Sequence, residues 1–284
     1  MTSFLQQYTL SNSVVQSEHS HYLTIQRSLD GLSVVIFDNK EQKFVRLSHY
    51  LYSEKNVSLK LLIDELQEKE NWKLSDFGKV TLIIDNNENT LVPSKYFQEE
   101  NIESYLNLLN IGKEKNLRHD TLNSCDIENI YSINDDIENT IAELQTEIKV
   151  RHSSSILIEN IIKEFSERSQ ETRVFVNVKN NSYELAIINK SKLVFHNYFN
   201  FNTKEDFLYF LLFTFEQLKI DNETTPLYFM GFIEEKSSIV ELCSRYIRNI
   251  RFINRNNDLN YTEELDSIPY YYYHVLYSSV LCEL

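Results

Sequence analysis

The sequence predicts an α/β protein in which two halves repeat one order of elements, βββ-α-β-α-β-α. Each half opens with three short runs rich in β-branched and aromatic residues, continues with a helical pattern, and then carries a near-continuous apolar run of strand length. At 284 residues the chain is long enough for two domains. The expected lobes are residues 1–170 and 171–284, each a mixed sheet of βββαβαβα order flanked by helices.

In the first half, three β-rich runs predict a meander: residues 21–28, 32–38 and 43–48. Asp30-Gly31 stands between the first two runs and is a common hairpin signal. The spacing of the leucines predicts a helix over residues 58–69, with Ser58 as its N-cap. Residues 79–85 are apolar almost throughout, which is typical of a strand covered on both faces.

The signals are weaker between this strand and the second half. A polar helical stretch is expected after Pro93 up to about Asn110, followed by an irregular segment. Two further helices are expected over residues 135–149 and 153–167, the second one capped by the serines that begin it. The boundary between the halves is expected near residues 169–171.

The second half repeats the order of the first. Its meander strands are expected at residues 172–178, 182–188 and 192–199. The elements expected after them are a helix over 203–219, a strand over 226–233, a helix over 237–249, a short strand over 251–253 and a last helix from Pro269. On the first of these helices Tyr209 and Phe213 make the side opposite the core stripe apolar too, so we expect this helix to be covered on both sides.

Glycine is scarce, and this excludes several phosphate-binding motifs. The chain has 4 Gly, and no GxGxxG, P-loop or GxSxG sequence occurs in it. Loops that wrap phosphates need several glycines, because only a residue without Cβ lets backbone N–H groups surround an anion. The 3 cysteines are far apart and form no CxxC pair, so neither a disulfide framework nor a zinc knuckle is expected.

Charge and hydropathy limit the kinds of partner that the protein can bind and the cellular compartment that we expect for it. Lys and Arg number 28 against 42 Asp and Glu, a net charge of -14, so the chain has no surplus of cations to displace counterions from a nucleic-acid backbone. No apolar run approaches the roughly 20 residues of a membrane helix, and the N-terminal residues do not resemble a signal peptide. We expect a cytoplasmic protein that binds no nucleic acid and does not span a membrane.

Two tandem lobes of this kind resemble the actin-like ATPase fold, a ribonuclease H-like fold shared by actin, sugar kinases and the ATPase domains of heat-shock chaperones. Four segments are similar to an uncharacterised bacterial family in that superfamily: residues 22–38, 151–159, 197–213 and 227–233. The resemblance covers nearly the whole chain. None of the four segments carries a motif that is diagnostic of a reaction.

The resemblance implies acidic sites that can be compared residue by residue. The first hairpin of the superfamily carries Asp-x-Gly, whose acid holds Mg²⁺ or its water, and these positions fall on residues 26–28, where Gln26 stands for the acid. The Asp-x-Gly-Gly-Gly of the second lobe falls on residues 177–181, where Asn177 stands for the acid and no glycine remains. An amide is a poor Mg²⁺ ligand, so the comparison assigns no catalytic residue, no metal ligand and no cofactor.

The same matching predicts the lining of a cleft between the lobes. Its expected residues are Gln26, Ser28, Asp30, Asn177, Lys179, Asn180, Gly231 and Phe232. Gly231 is what remains of the Gly-Gly pair that borders the adenosine in the superfamily, and the ring of Phe232 would fill space that an adenine needs.

These substitutions favour a non-catalytic binding or scaffold protein that holds a protein partner or another copy of itself. One alternative is an ATP-dependent phosphotransferase or ATPase with rewired phosphate loops, in which Asp30, Asp38 or Asp85 supplies the acid. Another is a cleft for a small molecule other than a nucleotide. The sequence does not identify the biological process.

Overall fold

A computed structural model describes residues 4–10, 19–28, 31–52, 57–106, 116–144, 146–165, 171–255 and 259–281. Asp30 and most of the expected boundary segment lie outside these ranges. The described strands are β1 Phe4–Leu10, β2 His21–Arg27, β3 Gly31–Asp38, β4 Lys43–Tyr52, β5 Lys79–Ile84, β6 Asn89–Pro93, β7 Asn116–Leu122, β8 Ile127–Ile133, β9 Ile148–His152, β10 Thr172–Val178, β11 Ser182–Asn189, β12 Lys192–Asn200, β13 Leu227–Gly231, β14 Ile250–Phe252 and β15 Asn260–Tyr261. The described helices are α1 Leu59–Glu70, α2 Ile102–Leu106, α3 Asp135–Glu143, α4 Ser153–Phe165, α5 Lys204–Gln217, α6 Ser238–Cys243 and α7 His274–Leu281.

The chain divides into two compact units. Unit 1 comprises Met1–Leu157, Asn257–Ser267 and Val275–Leu284. Unit 2 comprises Ile158–Asn256 and Ile268–His274. In the described ranges, no helix combines the length and the hydropathy that crossing a membrane requires.

The main sheet of unit 1 has the strand order β1-β4-β3-β2-β5-β9, with β15 paired to β4. The antiparallel pairing of β2, β3 and β4 confirms the predicted meander. From β2 onward the sheet is parallel, because β5 pairs with β2 and β9 pairs with β5. The apolar face of α1 is buried in the core of this unit through Leu59, Leu62, Ile63 and Leu66.

The sheet of unit 2 has the order β12-β11-β10-β13-β14. Counted from the first strand of each meander, both units place their strands in the order third, second, first, fourth, fifth. The first and fourth strands are parallel in both, since β10 pairs with β13 as β2 pairs with β5. The repeated topology confirms the duplicated α/β fold that the sequence predicts.

The segment between the two meanders differs from the expectation. α3 ends at Glu143 and β9 begins at Ile148, so the helix expected over residues 135–149 is wrong in its second part. The β9 sequence, Ile-Lys-Val-Arg-His, alternates apolar and basic residues, which is the period of a strand. The segment expected to be irregular contains β7 and β8, which form a small antiparallel sheet with β6. Up to Leu106, where the described part of this segment ends, the helical stretch expected after Pro93 consists of 3₁₀ turns and the short α2.

Three expectations for the second half are also wrong. The helix expected over residues 237–249 ends at Cys243. α5 is not covered on both sides, because Tyr209 is 62% exposed and Phe213 is 47% exposed. The last helix begins at His274 and not at Pro269, since a 3₁₀ turn occupies Tyr270–Tyr273.

Asp136 on α3 caps the N-terminus of α1. Its Oδ2 accepts a hydrogen bond from the Leu59 N–H at 2.8 Å and another from Arg27 Nη1 at 3.1 Å. Ser58 occupies the predicted N-cap position, but its side chain makes no capping hydrogen bond to α1. Burial acts to raise the pKa of Asp136, but these two hydrogen bonds and one from the Ser58 side chain outweigh it and hold the pKa below its ordinary value.

We expect Asp136→Asn to lower the free energy of unfolding by about 1–2 kcal/mol near neutral pH, because it removes the charge from a partly exposed acceptor. The pKa of Asp136 is lower in the folded than in the unfolded chain. Its contribution is therefore present above the ordinary carboxyl pKa of about 4 and is lost as the pH falls through the folded value. Urea unfolding near pH 7 and near pH 3 measures both effects.

The matched control for this variant is Asp135→Asn, the same change at an exposed neighbour whose carboxylate accepts from the Asn116 amide at 2.9 Å. It should stay within about 0.5 kcal/mol of wild type. Equal losses in the two variants would contradict the role given to Asp136.

Candidate functional site

In unit 1 the carboxyl ends of β2 and β5 bring an amide and an acid together. The two strands are parallel, with Gln26 in register with Ile83, and the Asp85 N–H continues the ladder by donating to the Arg27 carbonyl at 3.0 Å. Gln26 Nε2 donates to Asp85 Oδ2 at 3.1 Å. Ser153, the first residue of α4, donates through its hydroxyl to Asp85 Oδ1 at 2.8 Å. We call Gln26 and Asp85 the unit 1 pair.

A network of polar side chains surrounds the unit 1 pair. Asn86 Oδ1 lies 3.2 Å from His152 Nε2, and the backbone N–H of His152 donates to Asp120 Oδ2 at 2.8 Å. Arg151 Nε lies 3.4 Å from the same Asp120 oxygen. Burial raises the pKa of Tyr131, whose hydroxyl donates to Asp120 Oδ1 at 3.3 Å, and the Asp120 charge adds to the shift. The polar groups here are directed largely at one another.

The unit 1 pair offers Mg²⁺ a single carboxylate, both oxygens of which already accept hydrogen bonds. This cation takes oxygen ligands at about 2.0–2.1 Å in near-octahedral geometry. Gln26 directs an N–H group at one Asp85 oxygen and Ser153 directs an O–H group at the other, so a cation would share each oxygen with a hydrogen-bond donor. Within the described ranges, no three His, Cys, Asp or Glu side chains come close enough together to hold a metal ion.

Ser28 closes the hairpin that follows Gln26. Its N–H donates to the Gly31 carbonyl at 3.0 Å, and its hydroxyl oxygen accepts from the Gly31 N–H at 3.1 Å. Gly31 is the first residue of β3, where a Cβ would lie 2.8 Å from the carbonyl oxygen of Tyr50. A close approach of two strands therefore accounts for this glycine.

Asp38, one of the alternative acids, lies at the other end of β2 from Gln26. It is in register with His21, five residues before Gln26, a separation of about 16 Å along a strand. Its Oδ1 accepts from the backbone N–H groups of Lys40 at 2.8 Å and Glu41 at 3.2 Å. Asp38 is therefore a turn residue, and of the two alternative acids that the structure describes, Asp85 is the one that lies next to Gln26.

In unit 2 an amide and an acid also meet at the end of the first strand. Asn177 on β10 is in register with Glu184 on β11, and its Nδ2 donates to Glu184 Oε2 at 3.3 Å. His196 on β12 lies with Nε2 at 2.8 Å from Glu184 Oε1. The Glu184 side chain is fully buried, so these contacts replace its hydration. We call Asn177 and Glu184 the unit 2 pair.

The strand registers give Gln26 and Asn177 equivalent positions in their units. Each is the residue before the last of the first meander strand, and each lies one residue before the carbonyl that accepts from the end of the fourth strand. In unit 2 that bond joins the Phe232 N–H to the Val178 carbonyl at 2.8 Å, as Asp85 joins Arg27 in unit 1. The position of Asp85 is thus occupied by Phe232 in unit 2.

Gly231 is glycine for a reason within unit 2. Its φ is 83°, and a Cβ would lie 2.1 Å from the Val178 carbonyl oxygen and 2.7 Å from Asn177 Oδ1. The neighbouring Phe232 is 47% exposed, and its ring makes an edge contact with Tyr273 at 5.5 Å. Close packing at the end of β10 therefore explains Gly231 without a ligand.

The remaining predicted cleft residues of unit 2 lie at the β10–β11 hairpin. The Lys179 N–H donates to the Ser182 carbonyl at 2.8 Å, and Lys179 Nζ lies 5.0 Å from the centroid of the Tyr198 ring. Asn180 is exposed at the turn. Unit 2 thus groups Asn177, Lys179, Asn180, Gly231 and Phe232, and unit 1 groups Gln26 with Ser28. That all of them line one cleft stays a prediction, and Asp30 lies outside the described residues.

Sequence reasoning missed Glu184, His196 and the role of Ser153. Glu184 is a single acid inside the apolar run of β11, and an isolated charge in such a run could have identified it. His196 reaches Glu184 only through the register of β11 with β12, which no local pattern reveals. Ser153 was expected as a helix cap, but its hydroxyl donates a hydrogen bond to the Asp85 carboxylate.

Comparison with solved structures identifies the fold class of the protein. A Bacteroides thetaiotaomicron protein with an actin-like ATPase fold and unknown function matches 88% of this chain and 97% of its own, with a TM-score of 0.72 and 19% identity. A chain of the PilM–PilN type IV pilus biogenesis complex matches 93% of this chain and 99% of its own, with a TM-score of 0.64 and 11% identity. Identities this low establish the fold alone, and the protein has the actin-like ATPase fold that the sequence resembles.

The family follows from the sequence. A family model with the description "Protein of unknown function (DUF3822)" matches residues 11–250, so the chain belongs to the DUF3822 family. None of the curated proteins matches the chain.

We expect Asn177→Asp to destabilise the protein by about 1–3 kcal/mol near neutral pH, because it sets a second carboxylate against the buried Glu184. Such a pair shares a proton, so one of its pKa values rises above that of the unfolded chain. The deficit should therefore be smallest below about pH 4 and grow as the pH rises. Thermal unfolding across this pH range measures it.

Asn180→Asp, the same change at the exposed hairpin residue, is the control and should stay within about 0.5 kcal/mol at every pH. If the Asn177→Asp protein were as stable as wild type near neutral pH, the site of the unit 2 pair would accommodate a second negative charge, which would contradict the prediction.

Proposed function

We propose that this protein is a non-catalytic actin-like binding or scaffold protein that has lost Mg-ATP chemistry. The observation that carries the proposal is that the first meander strand of each unit has, as its last residue but one, an amide that donates to a carboxylate, Gln26 to Asp85 and Asn177 to Glu184. These are the two positions where the superfamily pattern has its acids.

The physical argument is electrostatic. Phosphoryl transfer depends almost wholly on positioning and on neutralising charge around the phosphates, for which Mg²⁺ and its carboxylate ligands are the main means. A neutral amide at residues 26 and 177 supplies no charge to hold the cation. In unit 1 the nearby carboxylate of Asp85 accepts hydrogen bonds from Gln26 and Ser153. In our proposal Asp85 therefore does not replace the carboxylate that the superfamily pattern has at residue 26.

Binding of a protein partner agrees with the fold comparison and with the charge. The chain with a TM-score of 0.64 belongs to a structure of the PilM–PilN type IV pilus biogenesis complex, so one protein of this fold works within an assembly. The net charge of -14 favours a protein partner over a nucleic acid. The lobe boundaries, the shared cleft and the cytoplasmic location are part of the proposal and stay predictions.

The alternative is an ATP-dependent phosphotransferase or ATPase with rewired phosphate loops. Asp85 is the observation that favours it, because a carboxylate at the end of β5 stands next to the residue that replaces the usual acid. It requires Asp85 to accept a cation beside its donors Gln26 and Ser153 when a nucleotide binds.

Isothermal titration calorimetry of the whole chain with Mg-ATP separates the two. We expect no binding by wild type in the micromolar range, and none by Asp85→Asn or Asp38→Asn. Binding by wild type that Asp85→Asn abolishes and Asp38→Asn preserves would contradict the proposal and support the alternative, because Asp38 lies at the far end of β2.

Reciprocal affinity capture from the native cell tests the scaffold role. The tagged chain should recover a protein that in turn recovers the chain, in a fixed ratio and without added nucleotide. A chain that is monomeric at its cellular concentration and recovers no partner in either direction would contradict this role.

A further inference from the structure

The solvent face of α5 in unit 2 carries aromatic side chains where polar ones are usual. Tyr209 is 62% exposed and Phe213 is 47% exposed. The opposite face of the same helix is buried in the unit 2 core through Phe207, Leu211 and Phe215. Since the core does not use Tyr209 and Phe213, their exposure requires another explanation.

These two rings lie in one stripe with an acid at each end. At 100° per residue, Glu205, Tyr209, Phe213 and Glu216 fall within about 80° of one another on the helix surface. Both glutamates are exposed. The stripe is about 16 Å long, three turns of helix. We call these four residues the α5 stripe.

Ring contacts within unit 2 hold the two aromatic side chains of the stripe in place. The rings of Tyr209 and Phe213 are stacked with centroids 6.1 Å apart and an angle of 19° between their planes. Tyr209 also meets Phe210 edge-on at 5.3 Å, and Phe210 stacks on Phe199 at 5.5 Å. Because packing already limits the orientations of these rings, a partner loses little conformational entropy in meeting them.

The charges of the stripe select the partner. Lys204 and Lys219 lie near the two ends, but both side chains are exposed and Lys204 Nζ is 4.0 Å from Glu205 Oε1, so solvent screens their effect on the two glutamates. A segment that covers the stripe needs apolar side chains at its centre and a basic residue at each end. A helix meets this need, because its rows of side chains pack against the i, i+4 ridge that Tyr209 and Phe213 form.

The same charges disfavour a second copy of the chain as the occupant. Pairing of two α5 helices about a twofold axis through the aromatic centre would set Glu205 of one copy against Glu216 of the other. The net charge of -14 on each copy adds to this repulsion.

We infer that the α5 stripe is a docking surface for an amphipathic helix of another protein, with an apolar centre and Lys or Arg at both ends. The inference does not rest on the loss of catalysis, since the stripe would serve an active enzyme equally. Its test contains no nucleotide, so its failure and the failure of the proposed function are distinguishable.

A display library of single helical peptides tests it, with the central and terminal positions randomised and the whole chain as bait. We expect the selected peptides to carry apolar residues at the centre and Lys or Arg at both ends. The double variant Tyr209→Ser, Phe213→Ser should bind these peptides at least about tenfold more weakly. Leu61→Ser, which removes an apolar side chain that is 56% exposed on α1, should bind them as wild type does.

If Tyr209→Ser, Phe213→Ser unfolds the protein, reversing the charges at the two ends of the α5 stripe provides a second test. Glu205→Lys with Glu216→Lys should change the selection to peptides with Asp or Glu at both ends. Selected peptides without a charge bias, or with equal affinity for the charge-reversed protein, would overturn the inference. So would a wild-type dimer in sedimentation that the serine variant abolishes, because the occupant would then be a second copy.

Discussion

A hydrogen bond from a side-chain amide to a carboxylate, made once in each unit, is the interaction on which the functional interpretation depends. Gln26 with Asp85 and Asn177 with Glu184 satisfy each other near the end of the first meander strand of each unit. A carboxylate in place of either amide would face another carboxylate at hydrogen-bonding distance, and only a cation or a proton could relieve that repulsion. In the function that we propose, the amides remove the need for a cation at these two positions.

The two pairs reach this result by different routes. In unit 1 the acid follows the fourth strand, and a serine from α4 supplies its second donor. In unit 2 the acid is on the second strand, a histidine of the third strand completes its contacts, and Phe232 stands where unit 1 has Asp85. The shared strand order fixes where an amide and an acid can meet, while the choice of neighbouring strand differs between the repeats.

Much of the fold was predictable because the meander strands and β5 are rich in apolar residues, so hydropathy alone delimits them. β9 and β7 were harder to recognise, since Lys149 and Arg151 leave β9 only a five-residue alternation in place of an apolar run, and β7 is mostly polar. The cap of α1 comes from Asp136, 77 residues away, and no local pattern could indicate it. Gln26 and Asn177 were identified through the resemblance, but their partners follow from the register and from contacts between elements distant in sequence. The exposure of Tyr209 could not be inferred either, because an apolar helix face has the same sequence pattern whether or not it is covered.

The side-chain amide signals of Gln26 and Asn177 in a nitrogen-15 NMR spectrum test the central claim most directly. Each signal can be assigned by its disappearance in Gln26→Ala or Asn177→Ala. Added Mn²⁺ with ATP should leave both signals as sharp as they are without the metal, because the amides hold their carboxylates and no cation enters. Selective broadening of either signal would place a metal ion at the pair and contradict the claim.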